Sequence, residues 1–110
     1  MNLEHEFRCY LQKIWVSEKT GRSMSPKATS DAVSRCKLVE KTLSLELSPA
    51  TVKGEDAYQD LLSQIRVRRI SSNRNRPYAH SQIIYSVKLY REFVLWWALS
   101  SLPDSCAIAP

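Results

Sequence analysis

Apolar side chains recur every three or four positions in four stretches of the chain, which is the spacing of an amphipathic helix. The first stretch predicts a helix that runs from the N-terminal residues to about Ser17. Glu4 and Glu6 lie in its first turn, where carboxylates complement the positive end of the helix dipole. The apolar face of this predicted helix consists of Leu3, Phe7, Tyr10, Leu11, Ile14 and Trp15.

The best local signal for a helix start is the pair Ser25 and Pro26. A serine side chain can accept the free amides of a first turn, and proline has the backbone angle φ of a first helical position. We therefore predict a second helix from this pair to about Leu43. Its inner face is predicted to consist of Ala28, Ala32, Cys36, Val39 and Leu43.

The middle of the chain gives mixed signals. Leu45 and Leu47 alternate as in a strand, whereas Ser48 and Pro49 are typical of another capped helix start. We predict a loop here, with room for one short turn of helix. A third helix is then predicted from Glu55 and Asp56 to about residue 68, with its apolar side chains at Tyr58, Leu61, Leu62 and Ile65.

The last predicted helix begins near His80 or Ser81 and is the most apolar element. It contains the run FVLWWAL, residues 93–99, which is apolar nearly all round. Such a run must be buried on several sides or covered by another chain. Phe93, Trp96 and Trp97 are therefore candidates for a protein interface, including the seam of a homodimer.

A chain of 110 residues has room for one hydrophobic core. Its composition, 44% apolar and 25% charged, is that of a folded domain rather than a disordered one. We predict a single all-α domain over residues 1–110, folded as a compact bundle of four or five helices. A basic linker near residues 66–77 is predicted to be exposed, and the tail from about residue 103 is predicted to be irregular.

The cysteines indicate a reducing, cytoplasmic environment. They are odd in number and widely spaced, and the N-terminal residues include acids where a secretory signal would have an apolar run. The longest apolar stretch, residues 93–99, is far shorter than the roughly 20 residues of a membrane span. We therefore predict no membrane segment and free thiols at Cys9, Cys36 and Cys106.

The formal net charge of +5 is distributed unevenly. No acidic residue lies between Asp60 and Glu92, and the remainder of the chain has nine basic residues against eleven acidic ones. A local excess of this kind attracts polyanions, either a phosphate backbone or an acidic protein surface, or it serves only solubility. Tyr78 lies beside it and could stack on a base. The basic residues of this interval are Arg66, Arg68, Arg69, Arg74, Arg76, Lys88 and Arg91.

No pattern in the sequence predicts a catalytic centre. The two histidines, His5 and His80, begin different predicted helices, and no two cysteines or histidines have the spacing of metal ligands. With only two glycines, the chain lacks the common phosphate-binding loops of nucleotide enzymes. We predict no enzymatic activity, no metal and no cofactor.

Two segments are similar to the N-terminal, SAM-like core-binding domain of tyrosine recombinases, the phage integrase family. The positions near that family's first helix pattern are Ser25, Thr29, Val33 and Lys37, with valine where tyrosine is common. The positions near its aromatic closing helix are Leu89, Phe93 and Trp96 or Trp97. The resemblance spans roughly residues 3 to 100. It implies a clamp-like helical module on duplex DNA, without the family's separate cleavage domain. Such a free-standing module would be an accessory factor, a decoy, a fragment of mobile-element origin or an unrelated bundle with a similar outline.

Two functions remain open from the sequence. One is a nucleic-acid-binding module whose arginines neutralise phosphates. The other is a protein-interaction module, such as an adaptor or a phage or mobile-element inhibitor, that uses the apolar end of the last helix. The two differ in salt dependence, because phosphate contacts weaken steeply with salt and apolar contacts do not.

Overall fold

The computed structural model describes residues 1–68 and 80–100. This part of the chain contains five helices and no strand, so the predicted all-α bundle is confirmed. The predicted linker beyond residue 68 and the predicted tail from about residue 103 lie outside the described residues. The helices are α1 (Glu4–Lys13), α2 (Pro26–Leu43), α3 (Pro49–Val52), α4 (Glu55–Arg68) and α5 (His80–Ser100).

Helix α2 begins and ends where its sequence predicts. The Ser25 hydroxyl oxygen accepts the Ala28 amide at 3.1 Å, and Pro26 is the first helical residue. The helix ends because Ser44 adopts the left-handed conformation, with φ of 54°. Its buried face is rotated from the prediction, since Ala28 and Leu43 are only half-buried. The buried residues of α2 are Thr29, Ala32, Val33, Cys36 and Val39.

Helix α1 ends at Lys13, so the predicted end near Ser17 is wrong. The amides of Ile14 and Trp15 both donate to the Tyr10 carbonyl, at 2.9 and 2.8 Å, and the chain then leaves the helix. It turns at Gly21, whose φ of +69° is readily adopted only by glycine. Trp15 consequently belongs to the loop of residues 14–25, which we call the α1–α2 loop.

The middle segment contains the short helix α3, at the place where one turn was predicted. The Ser48 amide donates to the Thr51 hydroxyl oxygen at 3.1 Å and closes the start of this turn. Just before it, Leu47 is fully buried, and its amide donates to a carboxylate oxygen of Glu40 at 2.7 Å. This charged hydrogen bond holds the segment between α2 and α3 against the core.

Helix α5 is the centre of the bundle, because it packs against each of the other four helices. Tyr90 and Phe93 are fully buried, and both rings contact Phe7 of α1, with centroids 5.3 and 5.5 Å away. The Tyr90 hydroxyl donates to the carbonyls of Asn2 and Leu47, at 2.9 and 3.3 Å. One side chain of α5 thus ties together the N-terminal residues and the segment before α3.

Candidate functional site

The last turn of α4 presents two arginines to solvent. Arg66 and Arg68 are exposed, and neither forms a hydrogen bond or an ion pair within residues 1–68 and 80–100. The preceding residue Ile65 is fully buried and fixes this turn against the core. Each of these two cations also interacts favourably with the negative end of the helix dipole, which stabilises the helix by about 0.3–1 kcal/mol per cation. We call this pair the basic end of α4.

Four of the residues predicted to bind nucleic acid, Arg69, Arg74, Arg76 and Tyr78, lie outside the described residues. In the sequence Arg69 directly follows the basic end of α4, and the other three residues follow within ten positions of Arg68. Below, the arginine cluster means the basic end of α4 together with these three arginines.

Arg91, which was predicted to bind phosphate, has its Nε and Nη2 donors occupied by the protein itself. Its Nε donates to the Val52 carbonyl at 2.8 Å, and its Nη2 lies 3.3 Å from a carboxylate oxygen of Glu55. Its guanidinium carbon also lies 4.6 Å from the centre of the Tyr58 ring. Glu55 is eleven residues before Arg66, about 16 Å along the helix axis, so Arg91 does not extend the basic end of α4. Its role here is to join α5 to the α3–α4 junction.

Lys88 is exposed, but its surroundings are electrically mixed. It lines a groove of about 390 Å³ that also includes Glu18, Lys19 and Glu92. Two positive and two negative side chains leave this groove without a net charge to attract phosphate. Lys88 therefore has no excess of positive charge around it, whereas Arg91 is engaged within the protein.

The predicted interface at the end of α5 is divided between core and surface. Phe93 is fully buried and has no surface to offer a partner. Trp96 and Trp97 are half-buried in an aromatic cluster, with centroids 6.5 and 5.8 Å from that of Phe93. Leu99 is 85% exposed. The apolar surface at this end of α5 is therefore smaller than the run of seven apolar residues predicts.

A pocket of about 440 Å³ lies where the α1–α2 loop, α2 and α5 meet, and nothing in the sequence predicted it. We call it the Trp15 pocket. Its lining includes Trp15, Arg22, Met24, Arg35, Tyr85 and Leu89. These residues come from three separate segments of the chain, and the apolar spacing of the sequence predicts Trp15 on the face of α1 instead. The one local signal was Gly21, whose turn folds the loop back.

The buried titratable groups are held in their neutral forms. The Cys36 thiol is fully buried and donates to the Ser86 carbonyl, with 3.4 Å between sulfur and oxygen. Burial raises the pKa of Cys36 and the pKa of Tyr90. Since the thiolate is the nucleophilic form, Cys36 is poorly suited to attack a substrate. On the surface, by contrast, the Lys37 ammonium lies 2.9 Å from Glu4 and lowers the pKa of that carboxyl.

Among the described residues, no group of three histidine, cysteine or acidic side chains is placed to hold a metal ion. Cys9 and His5 are in contact on α1, at 3.7 Å between Sγ and Nε2, without a third such group. None of the helices in this part of the chain has both the length and the apolar character that a membrane span requires.

Comparison with protein-family models, curated proteins and solved structures gives no match for this chain. The resemblance to the core-binding domain of tyrosine recombinases therefore stays a prediction.

Proposed function

We propose that this protein is a small non-catalytic module that binds nucleic acid, with the arginine cluster contacting the phosphates. The observation that carries the proposal is the unpaired state of the basic end of α4. Arg8 and Lys37, by contrast, share the carboxylate of Glu4, which lies 3.1 Å from Arg8 and 2.9 Å from Lys37. Arg66 and Arg68 have no such partner in the described part of the chain.

Binding costs little for an arginine that has no intramolecular ion pair to break. An exposed guanidinium without an ion partner can meet a phosphate without first breaking an intramolecular pair, and it forms two parallel hydrogen bonds to phosphate oxygens. Arg69, Arg74 and Arg76 continue the positive charge in the sequence, and no acid interrupts it before Glu92. Contacts of this kind position a backbone without reading the bases. We therefore propose binding with little sequence preference, with duplex DNA as the first target.

The proposal is tested by fluorescence anisotropy with labelled duplex DNA, single-stranded DNA and RNA at low salt. We expect micromolar or tighter binding to at least one of them, and at least tenfold weaker binding by the variant Arg66→Glu/Arg68→Glu. A second variant, Arg74→Glu/Arg76→Glu, should weaken binding similarly.

The matched control is Lys41→Glu/Lys53→Glu, which makes the same change of net charge. Lys41 is exposed and in the last turn of α2, so its reversal also removes a favourable contact with a helix dipole. We expect the control to change affinity by no more than about threefold. Equal losses in control and test variants would mean that only net charge matters, and no binding at low salt would refute the proposal.

A protein-interaction module is the second candidate, and the exposed Leu99 beside the half-buried Trp96 and Trp97 favours it. Here the arginine cluster would address an acidic protein surface, or the end of α5 would form a homodimer. Sedimentation at rising concentration tests the homodimer directly. Self-association that Leu99→Asp abolishes, without a change in melting temperature, would favour this candidate.

A further inference from the structure

The lining of the Trp15 pocket combines aromatic rings, apolar side chains and an excess of positive charge. Its volume, about 440 Å³, is within the range of roughly 300–1,000 Å³ that is usual for small-molecule sites. We propose that this pocket binds a planar aromatic anion of the size of a nucleoside monophosphate. Three features of the pocket lining indicate this class of ligand.

The first feature is a pair of aromatic rings without ring partners. Trp15 and Tyr85 both line the pocket, and neither contacts another aromatic ring in the described part of the chain. The other large aromatics of α5 differ, since Trp96, for example, lies 5.2 Å from the Tyr10 ring. A ring left free at a pocket wall can stack on a ligand ring.

The second feature is the apolar part of the lining. Met24, Ala28, Ala32 and Leu89 line the same pocket and have no polar side-chain group that would need water. Met24 is held in place because its amide donates to the Leu11 carbonyl at 3.1 Å. The face of an aromatic ring can replace water on such a surface with little loss of hydrogen bonding.

The third feature is the number of hydrogen-bond donors in the lining. Arg22 and Arg35 contribute two guanidinium groups to the lining. Ser17, Thr20 and Ser25 add three hydroxyls, and each of these oxygens already accepts a backbone amide. The hydroxyl protons of these three residues therefore remain available to donate hydrogen bonds. A phosphate or carboxylate, which only accepts hydrogen bonds, is the complementary group.

One carboxylate opposes this charge. Asp31 also lines the pocket, and its oxygen lies 3.8 Å from the Lys27 ammonium. Lys27 is 89% exposed, so solvent screens its attraction for Asp31 and this carboxylate keeps its negative charge at the pocket. The lining still has one positive charge in excess of its negative charge.

The Trp15 pocket is separate from the arginine cluster and does not depend on the function proposed above. Tyr85 and Arg91 differ by six positions on α5, about 240° around the helix, and Arg91 faces the α3–α4 junction. The pocket therefore opens on a different flank of α5 from the one packed on α4. Its ligand could be a free nucleotide or the phosphorylated end of a strand, which share the same chemistry.

The test is a calorimetric titration of the full chain with adenosine monophosphate, adenosine and ribose 5-phosphate, each to about 10 mM. We expect saturable binding of the monophosphate with Kd below about 1 mM. The ring alone and the phosphate alone should each bind at least tenfold more weakly. A single-stranded hexanucleotide with and without a 5′-phosphate distinguishes a strand end from a free nucleotide.

Two variants locate the binding. Arg22→Glu changes an exposed residue and should keep the melting temperature while weakening the monophosphate at least tenfold. Trp15→Ala should weaken monophosphate binding to a similar extent, and because Trp15 packs against the core its folding is checked by circular dichroism. Arg68→Glu, on the other flank, is the control and should leave monophosphate affinity unchanged. Absence of saturable binding, equal binding of adenosine and its monophosphate, or indifference to both pocket variants would overturn the proposal.

Discussion

Replacing Tyr90 by phenylalanine removes one hydroxyl from the centre of the bundle and leaves the ring. The hydroxyl donates to the Asn2 carbonyl at 2.9 Å and to the Leu47 carbonyl at 3.3 Å. The Leu47 carbonyl keeps a second donor, the Asn2 amide at 2.9 Å, so only the Asn2 carbonyl loses its protein partner. A buried acceptor left unpaired costs about 1–3 kcal/mol. Because Asn2 is itself an exposed residue, water can reach part of this site, and we expect a loss of about 1–2 kcal/mol.

Chemical and thermal unfolding followed by circular dichroism measures this loss. For a domain of this size, 1 kcal/mol corresponds to a fall in melting temperature of roughly 4–8 °C. Tyr85→Phe is the matched control on the same helix, because Tyr85 is 45% exposed and its hydroxyl has no hydrogen bond in the described part of the chain. We expect the control to stay within about 0.5 kcal/mol of the parent protein. Equal effects of the two substitutions would refute the reasoning, as would a Tyr90→Phe change below 0.5 kcal/mol.

Three further predictions concern the core and its titratable groups. Arg91→Lys keeps the charge but loses the Nε bond to Val52, so we expect about 1–2 kcal/mol less stability by urea unfolding, while Lys88→Ala should have no effect. In the variant Cys106→Ser, a thiol reagent should modify Cys9 in the folded protein and Cys36 only after denaturation; rapid modification of both would contradict the burial of Cys36. Burial raises the folded-state pKa of Cys36 and of Tyr90 above their usual 9.0 and 10.0, so unfolding releases protons above those pH values. Stability should therefore be fully present below pH 9 and decline from pH 9 to 11, with a smaller decline in Tyr90→Phe; a flat profile would contradict this.

The sequence predicts an element well where the determining contacts are local. Ser25 and Pro26 fix the start of α2 through one side-chain bond to a residue three positions away. The end of α1 is different. Ile14 and Trp15 continue the apolar spacing, but the helix has already ended at Lys13, and both of their amides donate to the Tyr10 carbonyl. The loop that follows α1 brings the Met24 amide to the Leu11 carbonyl. These two residues are thirteen positions apart, so the apolar spacing of α1 does not predict their contact.

The same distinction applies to the candidate sites. The exposure of Arg66 and Arg68 follows from a charge run that ends a helix, which is visible in the sequence. Arg91 belongs to the same charge run, but its partners lie 36 to 39 positions away, and no local pattern could separate it from the others. The Trp15 pocket requires three distant segments to meet, so only the folded structure shows it.

The salt dependence of duplex DNA binding tests the central claim most directly. Each phosphate contacted contributes about −0.9 to the slope of log Kobs against log salt. The arginine cluster therefore predicts a slope between about −1.8, for two arginines in contact with phosphate, and about −4.5, for all five. The variant Arg66→Glu/Arg68→Glu should make this slope shallower by about 1.8. A slope near zero, or a slope that this variant leaves unchanged, would contradict the assignment of the arginine cluster to phosphate.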